Sequence, residues 1–445
     1  MSKQYLSIAC SNGNSGVFGF SQGTPQLRFD VADRGVLQGQ ELRFQGTLKV
    51  VQNADNETPP VLATDVNFDA YTGAQGVIQT LEISSRAYSS RALETIQNYP
   101  RLCASLYSAL HSKSQYSSQL FHEQMTKGRG FDSDAERNDT NSQVSISNVG
   151  QTKSQRKPTM YKDGVSFDMR LTCGMFMSQD IDLEMLGGLT IEMTLAPDSN
   201  VLSGANASDY HYIIENPRII VPIMDKSPQA QMDLANSPSS TMSFLSYTSL
   251  YNTITSTDNQ IVHRTNLRGV VSSFQNYVPV KFINNYANNG LGQYNPAIKQ
   301  LTFHKGASRF PLEYSILVQN DPTKAPATQK TLYPQVLVNY LSAFRNWRDI
   351  KKSCVNSYMS NMEQTNRSGG AVSGIGCWGT GCSYDSVSGA GVSANNDTLG
   401  FEIQSSLSDP SDADSTAQTP YAVYTYYLCR NQVRVNAGVG IEVVS

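Results

Sequence analysis

Polar and apolar residues alternate along several short runs of this chain. Leu42 to Val51 (LRFQGTLKVV) is the clearest, with one face able to meet a core while the other meets solvent, as in a half-buried strand. Comparable runs lie at Val77 to Ile83, Val165 to Leu171, Leu189 to Leu195, Arg218 to Ile223, Val278 to Ile283, Phe310 to Val318 and Tyr421 to Cys429. Gly, Pro, Asn and Ser punctuate the intervals, as turns between strands require. The pattern predicts an all-β architecture of sandwiches.

Two segments carry helical spacing instead. In Arg91 to Ser112, Leu93, Ile96, Leu102, Leu106 and Leu110 recur mostly at three- to four-residue intervals, and Pro100 marks a turn or a helix start. In Leu332 to Ile350, Leu337, Leu341, Phe344 and Trp347 form an apolar stripe, with Arg345, Arg348 and Asp349 facing elsewhere. Each predicted helix lies inside a run of strands.

Laid over each other, the two halves show likenesses at one shared offset. Arg34-Gly35-Val36 recurs as Arg268-Gly269-Val270, Tyr99-Pro100 as Tyr333-Pro334, and Phe167-Asp168-Met169 as Phe401-Glu402-Ile403, each 234 positions on. A domain-sized repeat is the natural reading of such a series. At 445 residues the chain also exceeds what one sandwich core fills, so two cores are expected. The polar stretch Asp225 to Pro238, with two prolines, suits the join. The expected division is an N-terminal arm over 1–19, a first domain over 20–226, a linker over 227–237 and a second domain over 238–445. Lys127 to Lys162, Asn366 to Asn396 and Ser405 to Thr419 are polar stretches inside the domains, and are candidate outer-surface loops.

Composition narrows the function classes. Hydrophobic residues are 39% and charged residues 16%, with 32 Gly, 18 Pro and 23 Tyr, which suits strands joined by polar loops and not a helical bundle. The formal net charge of −3 and the absence of a long basic run argue against sequence-specific or wrapping contact with nucleic acid. Neither a secretory h-region nor an apolar span of about 18 residues is present, so synthesis inside a cell without a membrane span is expected. The seven cysteines (Cys10, Cys103, Cys173, Cys354, Cys377, Cys382, Cys429) are then read as free thiols.

Candidate chemistry is sparse. Cys377 and Cys382 form one close pair, but no second pair or nearby histidine completes a zinc ligand set. His111, His122, His211, His263 and His304 show no ligand spacing, no Gly-x-Ser-x-Gly elbow occurs, and the glycines around Gly369-Gly370 and Gly374 to Gly381 lack the lysine of a phosphate loop. Asp180, Asp182 and Glu184 alternate with Ile181, Leu183 and Met185, so one strand face could present carboxylates to a cation or a glycoside; an ordinary solvated face is the better account. Sequons at Asn56, Asn138, Asn206, Asn366 and Asn396 are chance matches in a chain without a secretory signal. No catalytic, cofactor-binding or metal-binding residue is assigned.

Three segments resemble a known family. Leu93 to Leu110 is similar to the helical segment after the early strands of the first jelly roll in the double jelly-roll major capsid proteins of Polinton-like viruses, virophages and their relatives. Phe167 to Leu195, with its Gly187-Gly188 step, is similar to paired strands near the end of that domain, and Tyr421 to Val444 fits the family's closing strands. The resemblance implies two tandem jelly-roll sandwiches, each with a short inserted helix. It also implies a structural protein and not an enzyme: a homotrimer forming a pseudo-hexagonal capsomer, tiled with neighbouring capsomers and with penton or minor capsid proteins into an icosahedral DNA-virus capsid. Part of the Tyr and Phe content is expected at those contacts. Two other classes stay open here: a tandem β-sandwich lectin, adhesin or spike that binds glycans or a receptor, and a β-sandwich hydrolase using Asp182 and Glu184.

Overall fold

Alternation sets the first half. In the strand Gln26–Val31, Leu27, Phe29 and Val31 are buried while Gln26 and Arg28 face solvent, and Arg43–Gln52 buries Phe44, Leu48 and Val50 in the same way. The computed structural model describes residues 3–13, 16–53, 67–68, 73–87, 92–110, 165–203, 206–236, 239–256, 258–265, 267, 269–283, 296, 298–310, 339–344, 379–384, 391–393, 397–405, 407, 418–436 and 440–444. The first half contributes β1 (Lys3–Ala9), β2 (Val17–Phe18), β3 (Gln26–Val31), β4 (Val36–Leu37), β5 (Arg43–Gln52), β6 (Asn67–Phe68), β7 (Ile78–Ser85), β8 (Ala92–Gln97), β9 (Val165–Arg170), β10 (Ile181–Asp182), β11 (Leu189–Leu195), β12 (Leu202–Ser203) and β13 (Tyr210–Met224). The second contributes β14 (Ser239–Ile254), β15 (Asp258–Thr265), β16 (Val270–Pro279), β17 (Ile298–Lys305), β18 (Ser308–Phe310), β19 (Thr380–Ser383), β20 (Asp397–Ser405), β21 (Tyr421–Asn436) and β22 (Gly440–Val444). The helices are α1 (Tyr99–Leu110), α2 (Gly174–Ser178), α3 (Leu183–Leu186), α4 (Asp198–Val201) and α5 (Pro228–Asn236), and residues 339–342 are also helical.

Three sheets build two sandwiches. A seven-stranded sheet runs β10-β4-β13-β5-β9, with β1 and β2 also on β13, and a nine-stranded sheet runs β19-β16-β21-β14-β8-β7-β11-β3, with β22 on β21. The third runs β15-β20-β17-β18, and β6 and β12 form a small separate pair. The first sandwich closes the seven-stranded sheet over β3-β11-β7-β8: Phe29 on β3 meets Phe44 on β5 edge-on, ring centroids 6.1 Å apart, and Phe44 meets Phe167 at 5.1 Å. The second closes the four-stranded sheet over β14-β21-β16-β19, where His263 on β15 bonds Tyr427 on β21.

The halves share a topology. β11 lies between β3 and β7, and β7 carries β8; β20 lies between β15 and β17, and β17 carries β18. β13 lies between β5 and β1, as β21 lies between β16 and β14. The shared glycine marks equivalent corners. Gly35 (φ +73°) and Gly269 (φ +61°) both sit in the left-handed region ahead of a strand, and a Cβ on either would fall 2.6 Å from the Met224 carbonyl oxygen or 2.7 Å from that of Arg430. The Phe167 and Phe401 likeness does not survive: Phe167 is on β9, paired with β5, whereas Phe401 is on β20, between β15 and β17.

Several predicted elements shift. Leu93 and Ile96 belong to β8 and not to a helix, because Pro100 lacks an N–H and its ring would clash with the carbonyl of Ile96, so α1 cannot extend upstream. Val278 to Ile283 is mostly not strand: β16 ends at Pro279 and Val280–Phe282 is a 3-10 turn. Residues 311–318 and most of 332–350, with Leu337, Arg345, Trp347, Arg348 and Asp349, lie outside the described residues, as do 127–162 and most of 366–396 and 405–419.

Strand register gives the molecule two unlike ends. Gln52 faces Tyr210, Leu48 faces Val165 and Pro279 faces Tyr421, so β5 ends where β9 and β13 begin, and β16 ends where β21 begins. The opposite end holds both glycine corners, α3 and α5.

Because both glycines need a conformation that alanine adopts only under strain, Gly35→Ala and Gly269→Ala are each expected to lose at least about 1 kcal/mol of stability. Denaturant titration checks this, and wild-type midpoints for both variants would contradict it.

Candidate functional site at the joint of the two sandwiches

The nine-stranded sheet serves a different sandwich on each face. On β8, Glu94 and Ile96 lie opposite Ile83 and Leu81 and face the first core, while Thr95 points the other way and pairs in parallel with Thr248 of β14. Thr248 is opposite Tyr427, which faces the second core. The first-core face of β14, β21 and β16 therefore presents Tyr247, Phe274, Asn276, Tyr424 and Tyr426, and the first half covers it together with Phe344 of the second.

That cover is specific. The Arg101 side chain in α1 is 2% exposed, with its guanidinium carbon 4.3 Å from the Tyr424 ring centroid, a desolvated cation–π contact. Its Nη2 donates to the Ile283 carbonyl at 3.2 Å. Asn276 Nδ2 donates to Ser105 Oγ at 2.6 Å, and the Tyr426 hydroxyl donates to the Asn98 carbonyl at 3.1 Å. Phe274 stacks on Tyr426 at 5.1 Å and meets Phe344 at 4.9 Å and Tyr247 at 6.1 Å.

Glu94 lies at the centre, fully buried. Its Oε1 accepts from the N–H of Gly174 at 2.9 Å and of Tyr247 at 2.7 Å, and its Oε2 from that of Met175 at 2.8 Å. One carboxylate thus caps the first turn of α2 and holds β14 of the other sandwich. Gly174 has to be glycine, since a Cβ there would lie 2.6 Å from Ser246 Cα on β14. Burial pushes Glu94 up to about 7 against the pull of the three N–H donors.

Elsewhere, polar groups serve the fold. His263 Nδ1 pairs with the Tyr427 hydroxyl at 2.8 Å and its Nε2 with Asn252 Oδ1 at 2.6 Å, and burial holds it neutral, down to about 4. His211 lies between Gln22 and Asn53, and His304 is buried on β17; His111 and His122 lie outside the described residues. Asp182 and Glu184 are not on an alternating strand: β10 ends at Asp182, which caps α3 by accepting from Met185 N at 3.1 Å. Lys226, its side chain 6% exposed, sits 2.6 Å from Asp182 and 3.0 Å from Glu184, so a lysine fills the place a cation or sugar would need. Burial pushes the Cys382 and Cys429 thiols up to about 12, which leaves them unreactive at neutral pH. Cys354 and Cys377 fall outside the described residues, and Cys10, Cys103, Cys173, Cys382 and Cys429 form no disulfide among the described residues. No described helix is long and apolar enough to cross a membrane.

Solved structures share this fold over 97–100% of the chain. The PBCV-1 VP54 structure fitted into a reconstruction of the virophage Sputnik is 11% identical, with a TM-score of 0.52 over 100% of this chain and 97% of that one. A chain of the Sputnik virophage structure is 11% identical, with a TM-score of 0.56 over 100% and 88%. The Faustovirus major capsid protein is 9% identical, with a TM-score of 0.56 over 97% and 90%. The fold is a double jelly roll. No protein-family model and no curated protein sequence matches the chain. The double jelly roll here is thus recognised by element order and packing.

The joint of this double jelly roll was not visible beforehand. Glu94 reads as one of the polar positions in Ala92–Gln97, and only the largely apolar run Tyr421 to Cys429 carries a signal, that of a strand covered on both faces. Glu94→Ala would leave three buried N–H groups without an acceptor, a loss of about 3 kcal/mol or more. The native carboxyl holds its proton more tightly than the unfolded one, so its stabilising effect is complete below pH 4.5 and is lost as pH rises through 7, by about 3 kcal/mol at most. Stability measured from pH 4.5 to 8 should show that decline in the wild type and lack it in Glu94→Gln; identical slopes would contradict the assignment.

Proposed function

We propose that this chain is a structural capsid protein whose copies associate as trimers, six jelly rolls in a pseudo-hexagonal ring, and tile an icosahedral viral shell. The observation that carries it is the whole-chain agreement in fold with the Faustovirus major capsid protein. A joint tied by buried hydrogen bonds between the halves supports it, since a tile must keep its two halves in fixed relation. The domain division follows the sequence, with a first jelly roll over 20–226, a linker over 227–237 and a second over 238–445, preceded by 1–19. The partners are other copies of the chain, neighbouring capsomers and penton or minor capsid proteins, and the place of action is the virion. Function is assigned to geometry and assembly and not to catalysis, and fold alone would host other roles.

Purified protein is expected to run as compact trimers by light scattering on a sizing column, with hexagonal outlines or larger shells in negative stain. A monomer at every concentration would overturn the proposal.

A further inference from the structure

Among the described residues, the duplicated topology leaves two strand edges unpaired whose equivalents are joined inside the chain. Register relates β1 to β14: the glycine corners align Met224 with Arg430, so Pro222 corresponds to Leu428 and Ile220 to Tyr426. Tyr5 lies opposite Pro222 and Tyr247 opposite Leu428; Ser7 lies opposite Ile220 and Ser249 opposite Tyr426. A tyrosine and a serine therefore recur in place. In β14 those positions meet the first sandwich: Tyr247 N–H is bound by Glu94, and Ser249 Oγ accepts from Gln97 N at 3.0 Å. In β1 the Tyr5 hydroxyl donates to Glu41 of its own sandwich at 3.2 Å, and no contact to the second sandwich is seen among the described residues. Tyr247 is 2% exposed, whereas Tyr5 is 60% and Leu6 41% exposed.

The complementary edge is on the other sandwich. β8, the strand that joins β14, has β18 as its topological equivalent, and β18 is the last strand of the four-stranded sheet among the described residues. Aligning β7 with β17 on their last residues, Ser85 and Lys305, places Phe310 at the position of Glu94. Exposed edges invite strand addition, and a head-to-tail contact between unlike surfaces forms a ring when its rotation closes.

We infer that β18 of one copy lies in parallel beside β1 of the next, repeating between chains the β8–β14 junction found within each chain. The occupant of the β1 edge is thus the second sandwich of a second copy. This rests on the assembly proposed above and adds to it the pair of strands that meet. The surface is more polar than the internal joint, since Arg43 and Gln45 on β5 stand where Phe274 and Asn276 stand on β16. That suits a contact made after the chain has folded.

The test is a disulfide. Gln4 and Arg309 are exposed and would face each other across the junction, within the Cα separation a disulfide spans. In a Cys10→Ser background, Gln4→Cys combined with Arg309→Cys should give, on mild oxidation, mostly covalent oligomers whose linked peptides join positions 4 and 309 by mass spectrometry. Neither single-cysteine variant should do so. Tyr5→Asp, which gives up the hydrogen bond to Glu41, should still unfold in a cooperative transition while losing assembly at least tenfold in concentration. Hexagonal capsomers without the 4–309 link, or full assembly by Tyr5→Asp, would overturn this contact and leave the capsid proposal standing. Monomers alone would overturn both.

Discussion

In a sheet buried on both faces every polar group without a partner costs free energy, and that constraint governs the centre of this protein. β14, β21 and β16 belong to the second sandwich on one face and meet the first on the other. The N–H of Tyr247 and the first N–H groups of α2 converge there, away from water, and each would cost about 1–3 kcal/mol if left without an acceptor. Glu94 answers all three. The position of α1 then brings Arg101 over Tyr424 and Ser105 to Asn276, and the aromatic residues fill what remains. Two sandwiches become one body because a single carboxylate and a helix belong to both.

The two interiors meet the same constraint differently. In the first, Leu27, Phe29, Val31, Phe44, Leu81, Ile83, Ile191 and Met193 make an almost wholly apolar core. The second contains hydroxyls and amides that pair among themselves: Tyr277 with Thr380 at 2.8 Å, Thr380 with Gln275 at 2.9 Å, Ser273 with Tyr384 at 3.1 Å. Such networks contribute little net stability but discriminate against misregistered strands, because a shift of one residue would leave every member unpaired.

Alternation made most strands of the first sandwich legible, since β5, β7, β9 and β11 each have one wet or polar edge to their pattern. It failed where both faces are dry. Val278 and Pro279 looked like the start of a strand because the true one, Val270–Pro279, carries Ser272, Ser273, Gln275 and Asn276 in buried positions and does not alternate. The Arg91 to Ser112 run misled for another reason: Leu93 and Ile96 fit a helical interval and a strand equally well, and pairing with β7 decides for the strand. Asp180, Asp182 and Glu184 alternate in sequence, but Asp182 is more useful as a helix cap and Lys226, forty-odd residues on, closes the cluster. Of the repeat, the glycine corner was informative because its conformation is demanded by a backbone contact; the Phe167 likeness shared only residue types.

The central claim is that the joint makes the two jelly rolls a single cooperative unit. Differential scanning calorimetry of the full chain at pH 6 tests it most directly. The account predicts one transition, with calorimetric and van't Hoff enthalpies in agreement. Two resolved transitions, one for each sandwich, would contradict it.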